Sequence, residues 1–204
     1  LLITGGHTQI YIVNNIGAYQ MLGTTVDDSV GETFDKVAKM IGLPYPGGPY
    51  IEKEAIQGDE QKILLPKPLI SSKDFNFSFS GLKTAVKYRL KDKINSKDLC
   101  ASFQKTIIDI LVKKTEMAIK FAKNKTPSIN HLVVAGGVAA NKEINKNLLL
   151  VCQKNNLKFS SPPIEFCGDN AAMIAWACLQ RYKIGYKGNI NFKPRPRWEL
   201  EELN

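Results

Sequence analysis

The sequence predicts an α/β domain built on a mixed sheet with flanking helices, and three observations carry that prediction. Apolar, β-rich runs at 1–4, 9–13 and 18–22 are separated only by turn residues, giving a three-stranded antiparallel opening. From Gly31 onward the apolar residues fall at helical spacing. Further on, helical periods alternate with strand-like runs at 131–135 and 158–160. A meander followed by helix–strand alternation is an α/β pattern, and in that class ligands collect at loops leaving the carboxyl ends of strands.

Taken in order, Gly5, Gly6, His7 and Thr8 join the first two runs as a hairpin, and Asn14 and Asn15 turn the chain into the third. Phe34, Val37, Ala38 and Ile41 mark a helix that Gly42 stops. The segment YPGGP (45–49) reads as a rigid loop, because two prolines and two glycines do not suit a regular element. A short helix at 51–56, a strand at 62–65 and irregular chain over 67–79 are expected next. Helices follow at 80–90 and 99–122, the second with Phe103, Ile107, Leu111 and Ala118 on one face. The run 131–135 is expected as a buried strand ending at Gly136 and Gly137. Helices at 144–152 and 170–182 flank the short strand 158–160, and the tail 193–198 is extended.

With 44% hydrophobic and 23% charged residues, the 204-residue chain can bury a sizeable core. No apolar run approaches the ~20 residues that span a bilayer, so no membrane association is expected. Cys100, Cys152, Cys167 and Cys178 form no CxxC pair and are expected as reduced core thiols in a cytoplasmic protein. The chain opens in mid-strand without Met, which suggests that upstream sequence is missing. Its charge is uneven: residues 1–70 carry 5 Lys/Arg against 8 Asp/Glu, and residues 71–204 carry 23 against 11. That asymmetry suits a polyanionic partner such as RNA, or reflects a lysine-rich composition alone.

Four places can carry chemistry. In Thr4-Gly5-Gly6-His7-Thr8, glycines let backbone N–H groups approach a phosphate as an anion nest, although a plain hairpin also uses glycine. In 133–141, a strand runs into Gly136, Gly137 and small residues against which a flat ribose or base can lie; Asn141 either caps a helix or bonds the ligand. Asp35 and Glu52 flank YPGGP and can accept ribose hydroxyls, or can be solvated helix residues. Asp169 is either a helix cap or a hard oxygen ligand for a metal.

The ordered strings TGGHTQ (4–9), GETFDK (31–36), YPGGP (45–49), FSFSGLKT (77–84), AGGVAAN (135–141), CGDNAAMIA (167–175) and RPRW (195–198) together resemble the tRNA adenosine threonylcarbamoyltransferase family, members of the actin-like ATPase (ribonuclease H-like) superfamily. The resemblance spans nearly the whole chain. It implies transfer of threonylcarbamoyl from threonylcarbamoyl-AMP to the exocyclic amine of the adenosine next to the anticodon, in tRNAs reading codons that begin with A. By motif, Leu2, Ile3, Thr4, Gly5 and Gly6 would line the phosphate end of a site for threonylcarbamoyl-AMP, ATP or AMP. Asp35, Gly48, Glu52 and Asn141 would contact the rest of the nucleotide, and Asp169 would ligate a divalent metal, iron or zinc in the family.

The resemblance also implies organisation. Residues 1–167 correspond to the second actin-like lobe, and residues 168–204 to a C-terminal helix and basic tail that return toward a first lobe. The family's HxxxH metal pair lies in that first lobe and is absent here, where the only histidines are His7 and His131. The chain alone is therefore expected to be inactive and to expose apolar surface on its last helix, with self-association through that face. Companion subunits and tRNA are the expected partners; Lys83, Lys87, Arg89, Lys193, Arg195 and Arg197 are candidate phosphate contacts. The main alternative is a non-catalytic nucleotide-binding scaffold. A small-molecule kinase leaves FSFSGLKT unexplained, and a metalloprotease is excluded by the lack of HExxH.

Overall fold

A computed structural model describes residues 1–189, 191, 193–195 and 198–202. Strands β1 (Leu2–Ile3), β2 (Thr8–Asn15) and β3 (Ala18–Thr24) form the predicted antiparallel meander. Strands β4 (His131–Val133) and β5 (Lys158–Ser160) pair in parallel. The two sheets join through Ala135, whose backbone bonds Leu1 and Ile3 beside β1 in parallel. The result is one mixed sheet in the order β3-β2-β1-β4-β5. Beyond β3, Phe77 continues it with a parallel bridge to Thr25.

Among the described residues there are six α-helices: α1 (Val30–Met40), α2 (Gly47–Ala55), α3 (Ser80–Arg89), α4 (Ser96–Lys125), α5 (Lys142–Lys154) and α6 (Ala171–Lys183). Helix α4, about 45 Å long at 1.5 Å per residue, is the spine of the core. Phe103, Ile107, Ile110 and Leu111 are fully buried on it, and it packs against α2 and α5. Phe103 meets Phe34 of α1 edge to face at 5.2 Å. The only lysine fully buried among the described residues, Lys114, donates to Ser72 Oγ and the Asp74 carbonyl and faces the Asp74 carboxylate at 3.5 Å. These contacts fasten the irregular 67–79 segment to α4.

Several expectations need correction. YPGGP is not all loop: Gly47, Gly48 and Pro49 form the first turn of α2. Proline is tolerated there because first-turn N–H groups have no intrahelical acceptor. Helix α1 starts at Val30, earlier than its apolar spacing suggested, because Ser29 caps it by accepting from the Glu32 N–H. The 62–65 run is not a strand; Ile63 N–H donates to Ser102 Oγ and Leu65 is buried as extended chain. Strand β4 is not buried either, since His131 and Val133 are exposed and only Val134 beyond it enters the core. Cys100, Cys152 and Cys167 are buried free thiols, whereas Cys178 is exposed on α6.

Candidate functional site

The site grows from the end of β1. Thr4 Oγ1 accepts from the Gly6 and His7 N–H groups at 3.0 and 2.8 Å and shapes the Gly5-Gly6 turn. The amino end of α1 closes against this turn: Ser29 Oγ donates to the Gly5 carbonyl at 2.6 Å, Thr8 Oγ1 accepts from Val30, and Gly31 N–H reaches the Thr4 carbonyl. The positive end of the α1 dipole therefore stands behind the turn. A Cβ on Gly31 would sit 2.6 Å from the Thr4 oxygen, so this approach requires glycine.

The second glycine pair arrives from β4. Gly136, at φ +105°, presses so closely on Ile3 and Thr4 that a Cβ would overlap the Ile3 carbonyl and the Thr4 methyl. The two turns, 131 residues apart, thus meet beyond the carboxyl ends of the neighbouring central strands β1 and β4. From there a 3-10 turn (Gly137–Ala140) leads to Asn141, which is buried. Asn141 Oδ1 caps α5 by accepting from Ile144, and its Nδ2 donates to Gln104 of α4 at 2.9 Å.

Helix α2 supplies the remaining candidates. Asp35 Oδ1 accepts the Gly47 N–H at 2.7 Å and holds the YPGGP turn against α1. Glu52 Oε1 accepts the Lys142 N–H at 2.7 Å and ties α2 to the start of α5. Of the expected residues, Leu2, Ile3, Thr4, Gly5, Gly6, Asp35, Gly48, Glu52 and Asn141 therefore lie on a connected framework around the amino ends of α1, α2 and α5. Asp169 lies apart, exposed in the loop before α6, where Asn170 and not Asp169 provides the helix cap. Among the described residues no group of three or more His, Cys, Asp or Glu could hold a metal ion, and His131 is bonded to Ser160. The residues present do not by themselves fit a metal centre.

The glycines separate into two kinds. Gly31, Gly47 and Gly136 are demanded by packing, since a Cβ would strike neighbouring atoms. Gly5, Gly6, Gly48 and Gly137 face open space within 4 Å, and none has a positive φ. Gly168 and Gly188, outside this framework, are equally unobstructed.

Residues missed in the sequence surround this framework. Ser29 begins SVGE (29–32), whose Ser-x-x-Glu spacing is a capping signal. Asp27 accepts from Ser78 Oγ and from the Phe79 and Ser80 N–H groups, holding FSFSGLKT at the head of α3. Asp28 binds Lys36 at 2.9 Å and Lys83 at 2.7 Å. Burial alone would raise its carboxyl pKa, but the bonds from Lys83 and Lys36 outweigh it and hold the group below the usual carboxylate range. Lys83 is thus committed to Asp28, not free for phosphate. Lys87 is exposed; Arg89 pairs loosely with Asp92 at 3.9 Å, and Arg195 with Glu202 at 3.1 Å. Lys193 is exposed and Arg197 lies outside the described residues. Burial pushes the Cys100 thiol up to about 11, so it is no ready nucleophile.

The mixed sheet with its flanking helices is that of the actin-like, ribonuclease H-like fold class. The family model for tRNA N6-adenosine threonylcarbamoyltransferase matches residues 1–176, and the chain belongs to that family. It is similar to proteins of that name from Zymomonas mobilis (47% identical over 202 residues, 98% of this chain and 56% of the relative) and Brucella suis (46% over 209 residues, 99% and 58%). A third, from Methylocapsa acidiphila, is 44% identical over 207 residues, 98% of this chain and 58% of the relative. The chain thus spans little more than half the length of these curated relatives. No helix among the described residues is long and apolar enough to cross a membrane.

Proposed function

We propose that this chain supplies the nucleotide-handling lobe of a transferase that moves threonylcarbamoyl from threonylcarbamoyl-AMP to the exocyclic amine of the adenosine beside the anticodon, in tRNAs reading codons that begin with A. The observation that carries the reading is the open backbone at Gly5, Gly6, Gly48 and Gly137, next to the amino ends of α1 and α2. In the reaction a C–N bond forms at the carbamoyl carbon, the C–O bond to phosphate breaks, and AMP leaves as the amine loses a proton. Backbone N–H groups and a helix dipole facing the departing phosphate favour that charge. Rigid placement of the adenylate by Leu2, Ile3, Thr4, Asp35, Glu52 and Asn141 supplies proximity.

Asp169 would be one ligand of the iron or zinc expected of the family. The described residues offer no complete ligand set, so no step is assigned to the ion. Residues 1–167 form the lobe in this reading, and residues 168–204 reach toward a further domain. The partners are tRNA and companion subunits, in the cytoplasm.

Calorimetry with AMP tests the reading. Wild-type chain is expected to bind, and the Gly6→Val, Gly137→Val double variant to lose binding with folding stability changed by less than about 0.5 kcal/mol per site. Absence of wild-type binding, or unaltered binding by the variant, refutes it. Mixed with tRNA and threonylcarbamoyl-AMP, the chain is expected to give little product until a complementing chain supplies further metal ligands. Unassisted turnover would overturn that part.

A further inference from the structure

The central strand of the sheet is much shorter than its neighbour. Strand β1 has 2 residues, whereas β2 has 8 and runs on to Asn15. Leu2 faces Gln9, so Tyr11, Ile12 and Val13 lie opposite three positions on the line of β1 that β1 does not fill. On the other side Leu2 bridges Ala135 in parallel, which sets the same positions beside Val133, Leu132 and His131 of β4. All six residues line one cavity of about 580 Å³, to which Ala118, Ile119 and Ala122 of α4 also contribute.

Both walls of this slot are therefore strand backbone, two strand spacings or about 9.6 Å apart. A residue in a packed sheet takes about 160 Å³ at these spacings, so the cavity holds three to four. Ladder bonds alternate along a strand. Thr4 N–H donates to the His7 carbonyl and Ala135 N–H to that of Leu1, which turns the N–H groups of Tyr11, Val13 and Val133 toward the slot. Side chains alternate as well, so a residue at the middle position would point, like buried Ile3, toward α4.

This chain has no spare strand to place there. Among the described residues every strand is already paired. The uncovered apolar side chains of α6 sit on a helix, and Leu200 reaches the cavity from a 3-10 turn. Prolines at 194 and 196 remove N–H groups from the tail. The curated relatives, by contrast, are nearly twice as long as the span this chain covers.

We infer that the slot between β2 and β4 receives an extended strand, apolar at its middle position, from the portion of the family's protein that this chain does not span. The strand would lie antiparallel to β2 and parallel to β4, as β1 does. The inference does not depend on nucleotide binding.

The test adds a short acetylated and amidated peptide, with valine, isoleucine and valine at its centre and threonines on both sides, to the 204-residue chain. Amide exchange is followed by NMR, and size by light scattering. The Tyr11, Val13 and Val133 amides should exchange about 10-fold more slowly with the peptide bound, while those of α6 stay unchanged. Aspartate in place of the central isoleucine, or proline at the three central positions, should abolish the effect. Ala118→Phe, which fills the cavity from α4, should weaken peptide binding by about 10-fold or more, and Trp176→Ala should leave it unchanged. Should Ala118→Phe fail to fold, the three peptides on the wild-type chain decide alone. No protection by the apolar peptide, or equal protection by the proline peptide, overturns the inference. So does protection of the same three amides in the free chain that disappears on dilution together with a dimer, since a second copy would then fill the slot.

Discussion

Helices α4 and α6 are both rich in apolar residues, yet they end in opposite environments. Helix α4 places Leu99, Phe103, Ile107, Ile110 and Leu111 in the core at 0% exposure. Helix α6 carries Met173, Ile174, Trp176 and Leu179 with no buried residue along its length. Helix α4 has polar residues opposite its apolar stripe and is satisfied by α2, α5 and the sheet. Residues 171–179 are apolar on every side, a composition that needs cover on several faces. Apolar content states how much cover a helix needs; only the surrounding chain decides whether the cover is present.

The largest test of this contrast is in α4. Phe103→Ala removes a fully buried ring that packs on Phe34, and is expected to cost about 3–5 kcal/mol in denaturant unfolding. A loss below about 1 kcal/mol would mean that α4 is not the spine of the lobe.

A smaller effect separates the two kinds of glycine. Gly136→Ala places a Cβ into the Ile3 carbonyl at a φ of +105° and should destabilise by about 1–3 kcal/mol. Gly6→Ala meets nothing within 4 Å and should leave stability within about 0.5 kcal/mol while weakening AMP binding. If the two variants behaved alike in unfolding, the distinction between glycines demanded by packing and glycines free of it would fail.

Next comes the charge pair that fixes α3. Asp28 is held below its usual pKa by Lys83 and Lys36 once burial is outweighed. Because the folded pKa is depressed, its contribution is present above the unfolded value of about 4 and is lost as pH falls through the folded value. Asp28→Asn should lower stability at pH 7 by on the order of 1 kcal/mol and flatten the acid side of the stability–pH profile. An unchanged profile would remove Asp28 as the link between α1 and α3.

The meander, α3, α4 and the alternating second half were legible because period and turn residues act locally. Both glycine turns were legible as well, by motif. Their contact was not: the approach of Gly136 to Ile3 is a tertiary event between residues far apart in sequence. The YPGGP error has a different origin, since treating proline as a breaker ignores its tolerance in a helix's first turn. SVGE was readable and outweighed by the apolar spacing that begins at Phe34. The pairing of Asp28 with Lys83, which withdraws one expected phosphate contact, depends on packing of α3 beside α1 and leaves no local trace.

The smallest effect is expected on α6 itself. Trp176 is 63% exposed, so Trp176→Ala has no core contact to lose and should shift unfolding by less than about 0.5 kcal/mol. The same substitution removes a large apolar ring from an uncovered helix, so self-association seen by light scattering and binding of an apolar dye should both decrease. The two readouts are independent. A stability loss of 2 kcal/mol or more would show that α6 packs on the lobe in solution, and would erase the contrast with α4. Unchanged stability with unchanged association would mean that the exposed ring is not the adhesive surface, leaving Ile174 and Leu179 to be tested in the same way.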